Sequence, residues 1–277
     1  MSFLVLVRGA GDVASGVALR LHRSGFRVIM TELPQPLVVR RMVSFAEAIY
    51  RGEFEVEGVF AKHVEELSEV QDILIAGKIP ILVDSEGNII DQLKEYSLNS
   101  SGFVLIDGRM LKQKPDQGLD QADLVIGLGP GFTAGEDCHA IVETKRGHFL
   151  GRVIWQGSAQ ANTGIPDGVQ NYSKERVLRA PTDGVMHSLA EIGEHISPGQ
   201  IVAEVSNQLI KAPFRGVLRG LLHSGLTVTQ GLKIGDLDPR DDPRYCWLVS
   251  DKSLAVGGGV LEAILAYRDR YGSWLAS

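Results

Sequence analysis

Phe3 to Glu32 reads F-L-V-L-V-R-G-A-G-D-V-A-S-G-V-A-L-R-L-H-R-S-G-F-R-V-I-M-T-E, and the fold turns on the motif in its middle. An apolar run, Phe3 to Val7, leads into G-A-G-D-V-A at Gly9 to Ala14. Where a strand turns into a helix around phosphate, the first glycine permits a tight turn. The second lets backbone N–H groups approach a pyrophosphate with no Cβ in the way, and a small residue, here Ala14, allows helix to pack closely on strand. A helix is predicted over 13–24, Gly25 suits its C-terminal cap, and a second strand, Arg27 to Thr31, ends at Glu32, where a carboxylate accepts ribose hydroxyls. Gly9, Gly11, Asp12, Ala14 and Glu32 are the candidate cofactor-binding residues of this unit. A bare G-x-G-x-x-A is common, and its glycines can simply make a tight βα turn. Strand, motif, helix, second strand and acid within roughly 30 residues favour a nucleotide or dinucleotide. Glu32 repels a ribose phosphate, which selects NAD over NADP if the ligand is a nicotinamide nucleotide. Arg40 and Arg41 either reach a phosphate or form the solvated face of the next helix.

At 277 residues the chain is long enough to bury a sizeable core and to hold two domains. Its 44% hydrophobic and 22% charged residues are those of an ordinary soluble protein. A net charge of -6, with no basic segment interleaved with aromatics, leaves no electrostatic footprint for nucleic acid. Cys138 and Cys246 are the only cysteines, too few for a disulfide scaffold or a thiolate metal cluster, so a reducing cytoplasm is expected. No run approaches the roughly 20 apolar residues that span a bilayer, and the first residues carry no signal-peptide pattern, so no membrane partner is expected either.

Past Glu32, strand and helix patterns alternate. Helical spacing covers 36–51, a short strand 56–61, a helix 64–77, a buried strand I-P-I-L-V-D ending at Asp84, a helix or turn 88–96, and a strand F-V-L-I-D ending at Asp107. Repeated βα units predict a Rossmann-like parallel sheet with helices on both faces, which binds ligands at the C-terminal ends of its strands. Asp107, Arg109 and Lys112 leave one such end on a single loop and join the candidate site. Next, L-V-I-G-L-G-P-G-F-T-A-G at Leu124 to Gly135 runs from a strand into a loop containing Gly127, Gly129, Gly131 and Gly135. Glycines this dense mean close backbone approach to a ligand phosphate or to a neighbouring segment, and Gly129, Gly131 and Gly135 are candidates for the first. The two glycine loops are expected to border one cleft. Paired strands over 139–144 and 152–155 follow, then a polar turn, A-N-T-G-I-P at 161–166, with Asn162 and Thr163 as candidate donors.

A second strong signal is an internal repeat. Ala180-Pro-Thr-Asp-Gly-Val-Met186 recurs as Ala212-Pro-Phe-Arg-Gly-Val-Leu218, an offset of 32 residues. At that offset, without gaps, Leu189 matches Leu221, Gly193 matches Gly225, Ile196 matches Val228, Gly199 matches Gly231 and Val202 matches Ile234. Short β segments with glycine turns, present twice, predict two quasi-symmetric halves sharing one core. The pattern resembles the barrel-sandwich hybrid of biotinyl and lipoyl domains, which carry a lysine at the tip between the halves. The tip here is Val205-Ser-Asn-Gln-Leu209, and Lys211 lies inside the strand register, so neither biotin nor lipoate is expected and a binding or assembly role is. Past Pro243, a strand over 245–250 and a helix over 254–267 are predicted. The triple glycine at 257–259 serves tight packing or ligand approach. The expected domains are a nucleotide-binding domain over 1–172, a small all-β module over 173–240, and a strand and helix over 241–277 that pack back on the body.

Together these segments resemble the selenium-dependent molybdenum hydroxylase system protein family, accessory proteins that accompany molybdenum hydroxylases and their maturation factors. The likeness runs nearly end to end. It rests on G-A-G-D-V-A-S-G at Gly9 to Gly16, G-L-G-P-G-F-T-A-G at Gly127 to Gly135, the stretch His139 to Thr144, and the run Ser253 to Leu265. Asp167 stands where the family commonly has glycine in Asn-Thr-Gly-Ile-Pro-Gly. The resemblance implies a role in supplying or maturing the hydroxylase cofactor site and carries over no catalytic residue.

The side-chain chemistry separates two functions weakly. The seven histidines show no metal-ligand spacing, and no Walker lysine follows the first glycine loop, which disfavours kinase chemistry. Cys138 beside His139 is either a thiol able to receive sulfur or selenium or a buried inert one; neighbours in a strand point to opposite faces, which weakens the first. One reading is a non-catalytic maturation factor that binds a nucleotide-containing cofactor, for example through the pyrophosphate of a molybdopterin dinucleotide, and hands it to a molybdenum hydroxylase. The other is an NAD-dependent oxidoreductase with its small substrate between the sheet and the repeat module. No acid–base pair suited to hydride transfer declares itself, which favours the first.

Overall fold

The computed structural model describes residues 3–96, 102–111, 115–161, 172 and 174–271. The chain divides into two compact units. The first comprises Met1–Pro36, Ser44–Asn162 and Val249–Ser277, the second Leu37–Val43 and Thr163–Leu248.

The first unit begins with strand β1 (Leu4–Arg8), helix α1 (Asp12–Arg23) and strand β2 (Arg27–Glu32). Gly25, at φ 85°, ends α1 in the manner foreseen. Its N–H bonds to the His22 carbonyl and that of Phe26 to the Leu21 carbonyl, the paired bonds of a Schellman motif. The segment expected as one helix over 36–51 holds only a 3-10 turn (Arg41–Val43) and the short helix α2 (Glu47–Arg51). A hairpin of β3 (Glu53–Val56) and β4 (Val59–His63) follows, its turn made by Glu57 and Gly58 at φ 47° and 85°, the two positive values of a type I′ turn. Helix α3 (Val70–Ile75), β5 (Ile79–Val83), α4 (Ile90–Tyr96), β6 (Phe103–Asp107) and β7 (Leu124–Leu128) come next. Then follow β8 (Thr133–Ala134), β9 (Ala140–Val142), β10 (Val153–Ile154) and β11 (Gly157–Ser158).

Nine of these strands form one sheet in the order β10-β9-β7-β6-β1-β2-β5-β4-β3. From β9 to β4 they run parallel, and only the edge strands β10 and β3 are antiparallel. Alternation sorts the central side chains. Leu4, Leu6, Ile29, Phe103, Leu105, Val125 and Ile141 join one core with Val70 of α3 and Leu93 of α4. The intervening residues, Val5, Val7, Val28, Met30, Val104 and Ile106, are also fully buried. A sheet covered on both faces explains why its strands read as continuous apolar runs.

The second unit is two antiparallel four-stranded sheets. Its strands are β12 (Val177–Arg179), β13 (Gly184–Ser188), β14 (His195–Ile196), β15 (Ile201–Val205), β16 (Gln208–Lys211), β17 (Gly216–Leu221), β18 (Thr227–Val228) and β19 (Lys233–Asp238). The sheet orders are β12-β19-β17-β14 and β16-β15-β13-β18. The 32-residue offset maps β12 to β16, β13 to β17, β14 to β18 and β15 to β19, so the second sheet repeats the first. The halves exchange strands: β12 and β14 of the first join β19 and β17 of the second, and β16 and β18 of the second join β15 and β13 of the first. Leu178, Met186, Ile196, Val202, Leu218, Leu221, Val228 and Ile234 fill the shared core. No closed barrel forms among the described residues.

The stretch expected as a strand over 245–250 is helical instead, as helix α5 (Arg244–Trp247). A short apolar run does not by itself distinguish strand from helix, and Pro243, at φ -59°, presets helical backbone at its start. Helix α6 (Asp251–Tyr271) returns to the first unit. No helix is long and apolar enough to cross a membrane among the described residues.

Candidate functional site

The strand β1 lies between β2 on one side and β6 on the other, so successive connections diverge at its C-terminal end. Open parallel sheets take ligands at such a switch point. Gly9 makes the turn there at φ 89°, and its N–H bonds to the Thr31 carbonyl at 2.8 Å. A Cβ on Gly9 would lie 3.1 Å from the Arg109 nitrogen, so the turn and the β6 exit loop are in close backbone contact. Gly11 is the N-cap of α1 with ordinary extended dihedrals, φ -67° and ψ 179°, and no side chain caps the helix. Asp12 opens the first turn, and Ala14 touches Gly108, whose own Cβ would come within 2.8 Å of the Ala14 Cβ.

Glu32 folds back over the turn. Its Oε2 accepts from the Ala10 N–H at 2.7 Å and its Oε1 from the Leu33 N–H at 2.8 Å. Burial pushes its carboxyl above the usual range, while those two N–H groups oppose the rise. One amide of the glycine turn is thus already served by the residue expected to hold a ribose. On the far side of the turn, Ser15 Oγ donates to the Ala10 carbonyl and accepts from the Phe45 N–H. Arg40 and Arg41 belong to the second unit, where Arg40 donates to the Tyr245 and Leu248 carbonyls and Arg41 to Leu221.

The β6 exit carries an ionic cluster. Asp107, 1% exposed, accepts from Arg109 Nη2 at 2.6 Å and from Arg109 Nε, and also from the Arg109 N–H at 3.0 Å. Arg109 turns its remaining N–H groups to Asp116. Arg8, the register partner of Asp107, donates to the same Asp116 carboxylate at 2.9 and 3.2 Å. Burial works against the Arg109 charge, but the bonds to Asp116 and Asp107 outweigh it and raise its pKa further; the same bonds hold Asp116 well below the usual carboxylate range. Neither Arg8 nor Asp116 was singled out from the sequence. Arg8 is the first residue after the apolar run, a readable place, whereas Asp116 sits in an irregular segment with no pattern. Lys112 lies outside the described residues, as do Asn162 and Thr163.

The second glycine loop leaves β7 on the same sheet edge, because β1, β6 and β7 are parallel neighbours. Two of its glycines make room for side chains. A Cβ on Gly127 would lie 2.4 Å from the Phe132 ring, and one on Gly129, at φ 75°, would strike Thr144 Oγ1. Gly131 and Gly135 are exposed turn residues at φ 111° and 95°. Cys138 is fully buried, and burial pushes its thiol up to about 12. His139 accepts the Val125 N–H on Nδ1 and rests edge-on against Tyr267, with burial lowering its pKa. The cysteine is therefore a poor nucleophile, and the imidazole is committed to the backbone.

Two of the three glycines at 257–259 serve packing, and a Cβ on Gly258 would meet nothing within 4 Å. A Cβ on Gly257 would lie 2.9 Å from the Gly16 carbonyl oxygen of α1, and one on Gly259 would collide with the Gly151 carbonyl. Gly16 in turn faces Ser253, where a Cβ would have only 2.5 Å. Helices α1 and α6 thus meet backbone to backbone.

In the second unit the tip between the halves is a two-residue turn, Ser206 and Asn207 at φ 47° and 64°, and Lys211 is an exposed residue of β16 opposite Ile201. Sequence reading missed the unit's buried charges. Asp236 and Asp238, both 0% exposed, share one face of β19 and are held by Arg176, Arg219 and Arg240. Burial alone would raise both carboxyls, but the neighbouring cations keep them below the usual range. The acid-apolar-acid pattern D-L-D was their visible signal. Among the described residues no group of three His, Cys, Asp or Glu is placed to hold a metal.

No protein-family model matches the chain. It is 46% identical over 262 residues to the uncharacterized protein YqeB of Escherichia coli strain K12, across 95% of this chain and 47% of YqeB. The chain therefore spans about half the length of this curated relative. Among solved structures, the product-bound ectoine utilization protein EutE (DoeB) from Ruegeria pomeroyi aligns at 10% identity over 85% of this chain and 57% of its own, with a TM-score of 0.23. An aspartoacylase family protein from Mesorhizobium loti aligns at 10% identity over 85% and 84%, with a TM-score of 0.26. Scores this low establish no shared fold.

Proposed function

We propose that the first unit binds an anionic dinucleotide-type cofactor at the Gly9 turn and that the chain is an accessory factor in maturing a molybdenum hydroxylase. The observation that carries the binding half is the uncapped N-terminus of the 12-residue helix α1 at the C-terminal end of β1, where the sheet's connections diverge. Backbone N–H groups and the helix dipole at such an N-terminus favour a phosphate, and the glycine at 11 adds no side chain over it. We read the sheet as Rossmann-like and the second unit, with its exchanged strands, as a barrel-sandwich-like binding or assembly module. The maturation half rests on the family resemblance of the motifs at Gly9 to Gly16 and Gly127 to Gly135, and molybdopterin dinucleotide is the ligand it favours. Glu32 at the end of β2 supports a second reading, NAD bound by an oxidoreductase, since a carboxylate there selects an unphosphorylated ribose.

Calorimetric titration of NAD and of molybdopterin dinucleotides separates the readings. Gly11→Val is the control, because the ordinary dihedrals of Gly11 accept any side chain without strain. Saturable binding that this variant abolishes, with its melting temperature kept, supports the site. Absence of binding by the unaltered chain overturns it.

A further inference from the structure

We propose that Arg8 and Arg109 form a receptor for a phosphoryl group and that Asp116 is its built-in, removable occupant. The inference rests on the reading of this sheet edge as an anion site and adds the groups that hold the anion and the residue that competes with it.

The Arg8 side chain is 2% exposed, yet the carboxylate that receives it is 49% exposed. Arg8 donates no hydrogen bond to the carboxylate of its register partner Asp107, which accepts from Arg109. Among the described residues its Nε has no hydrogen-bond partner. A deeply buried guanidinium therefore depends on one half-exposed carboxylate brought in by a segment outside the sheet. Arg109 presents a second pair of N–H groups to that carboxylate. Two guanidinium forks converging on one pair of oxygens is the arrangement that binds phosphate, because carboxylate and phosphoryl oxygens match the fork equally well.

Two glycines let the backbone approach the arginine pair closely. Gly9 and Gly87 flank the pair at φ 89° and 85°. A Cβ on Gly87 would lie 3.0 Å from Arg8 Nη2, and one on Gly9 would lie 3.1 Å from the Arg109 nitrogen. Glu32 faces the other flank of the turn, bound to the Ala10 N–H, and its charge directs an anion toward the β6 side. Charge balance couples departure to arrival. With Asp116 in place, two arginines meet two aspartates; once it swings out, one positive charge is unmatched and Arg8 is left buried without a counter-ion. Such a state is strongly disfavoured until another anion enters. The ligand class is a phosphate or pyrophosphate group, free or as part of a nucleotide.

The test uses the full chain, inorganic pyrophosphate and calorimetry. Asp116→Asn should bind pyrophosphate about tenfold or more tighter than the unaltered chain, and its melting temperature should rise more on addition of the anion. Adding Arg8→Gln to that variant should remove the gain. Equal or weaker binding by Asp116→Asn, or a gain that survives Arg8→Gln, overturns the proposal. If Asp116→Asn does not fold alone, refolding it with pyrophosphate present is the readout: rescue supports the exchange, and failure to rescue overturns it. Dinucleotide binding by the unaltered chain without any pyrophosphate gain in Asp116→Asn defeats this proposal alone. A pyrophosphate gain with no dinucleotide binding by either chain defeats the dinucleotide reading alone.

Discussion

The two glycine loops leave parallel strands on one edge of the sheet, yet glycine answers a different need in each. At Gly9 the backbone needs a positive φ and touches another loop's backbone, and the helix that follows starts without a cap. At Gly127 and Gly129 the place of the missing Cβ is taken by the loop's own Phe132 and by Thr144 beyond β9. One loop leads into a helix N-terminus that no side chain caps; the other is packed by side chains. Glycine density in the sequence is the same signal in both, and only what a Cβ would meet separates them.

Substitutions can break this contrast. The largest effect is expected at Gly127→Ala, where a methyl meets the Phe132 ring at 2.4 Å; overpacking should lower stability by about 3 kcal/mol in denaturant unfolding. Pairing it with Phe132→Ala should recover that increment, and ligand affinity of the single variant should be unchanged. If the single variant loses affinity in step with stability, the loops are not different in kind. Gly9→Ala should cost about 2 kcal/mol, from the positive φ and the tight approach to Arg109, and should also weaken dinucleotide binding. Stability lost with affinity intact would remove the first loop from the site.

Smaller effects sharpen the contrast. Gly135 has nothing within 4 Å of a Cβ but sits at φ 95°, so Gly135→Ala should cost only about 1 kcal/mol, the price of the backbone alone. Cys138, which follows that loop, should show no measurable alkylation by iodoacetamide in the native protein at pH 8 and react at once after unfolding. Its thiol is pushed up to about 12, so it stays almost wholly protonated from pH 7 to 9, and native labelling should remain undetectable across that range. Native labelling would restore the cysteine as a candidate nucleophile.

The first βα unit was legible almost to the residue, because strand, turn and helix each carry local signals there: the apolar run, the glycine turn, and Gly25 in the left-handed region. The 32-residue offset located every pair of matching strands in the second unit, but not the exchange of β14 and β18, since an offset states equivalence and not partnership. The helical spacing of 36–51 misled because the chain leaves the first unit at Leu37 and re-enters it at Ser44, and tertiary placement overrides periodicity over so short a path. The role of the triple glycine was unreadable, as its meaning lies in Gly16 and Gly151, far away in the chain. For the site, Gly9, Glu32, Asp107 and Arg109 were visible as strand-end residues. Asp116 was not, because nothing local marks the segment that carries it.

The glycine-to-glycine seam between α1 and α6 also bears on how the protein is made. Helix α6 follows the whole second unit in the chain, so a ribosome delivers α1 more than two hundred residues before the helix that covers its Gly16 face. Until α6 emerges, one side of the nascent sheet layer has a vacant groove, while the second unit, complete at Leu248, already has all its strands. Synthesis order and completion order are therefore inverted: the unit that starts first finishes last. Chains interrupted between Leu248 and α6 would hold every strand of the β module and an unfinished parallel-sheet unit.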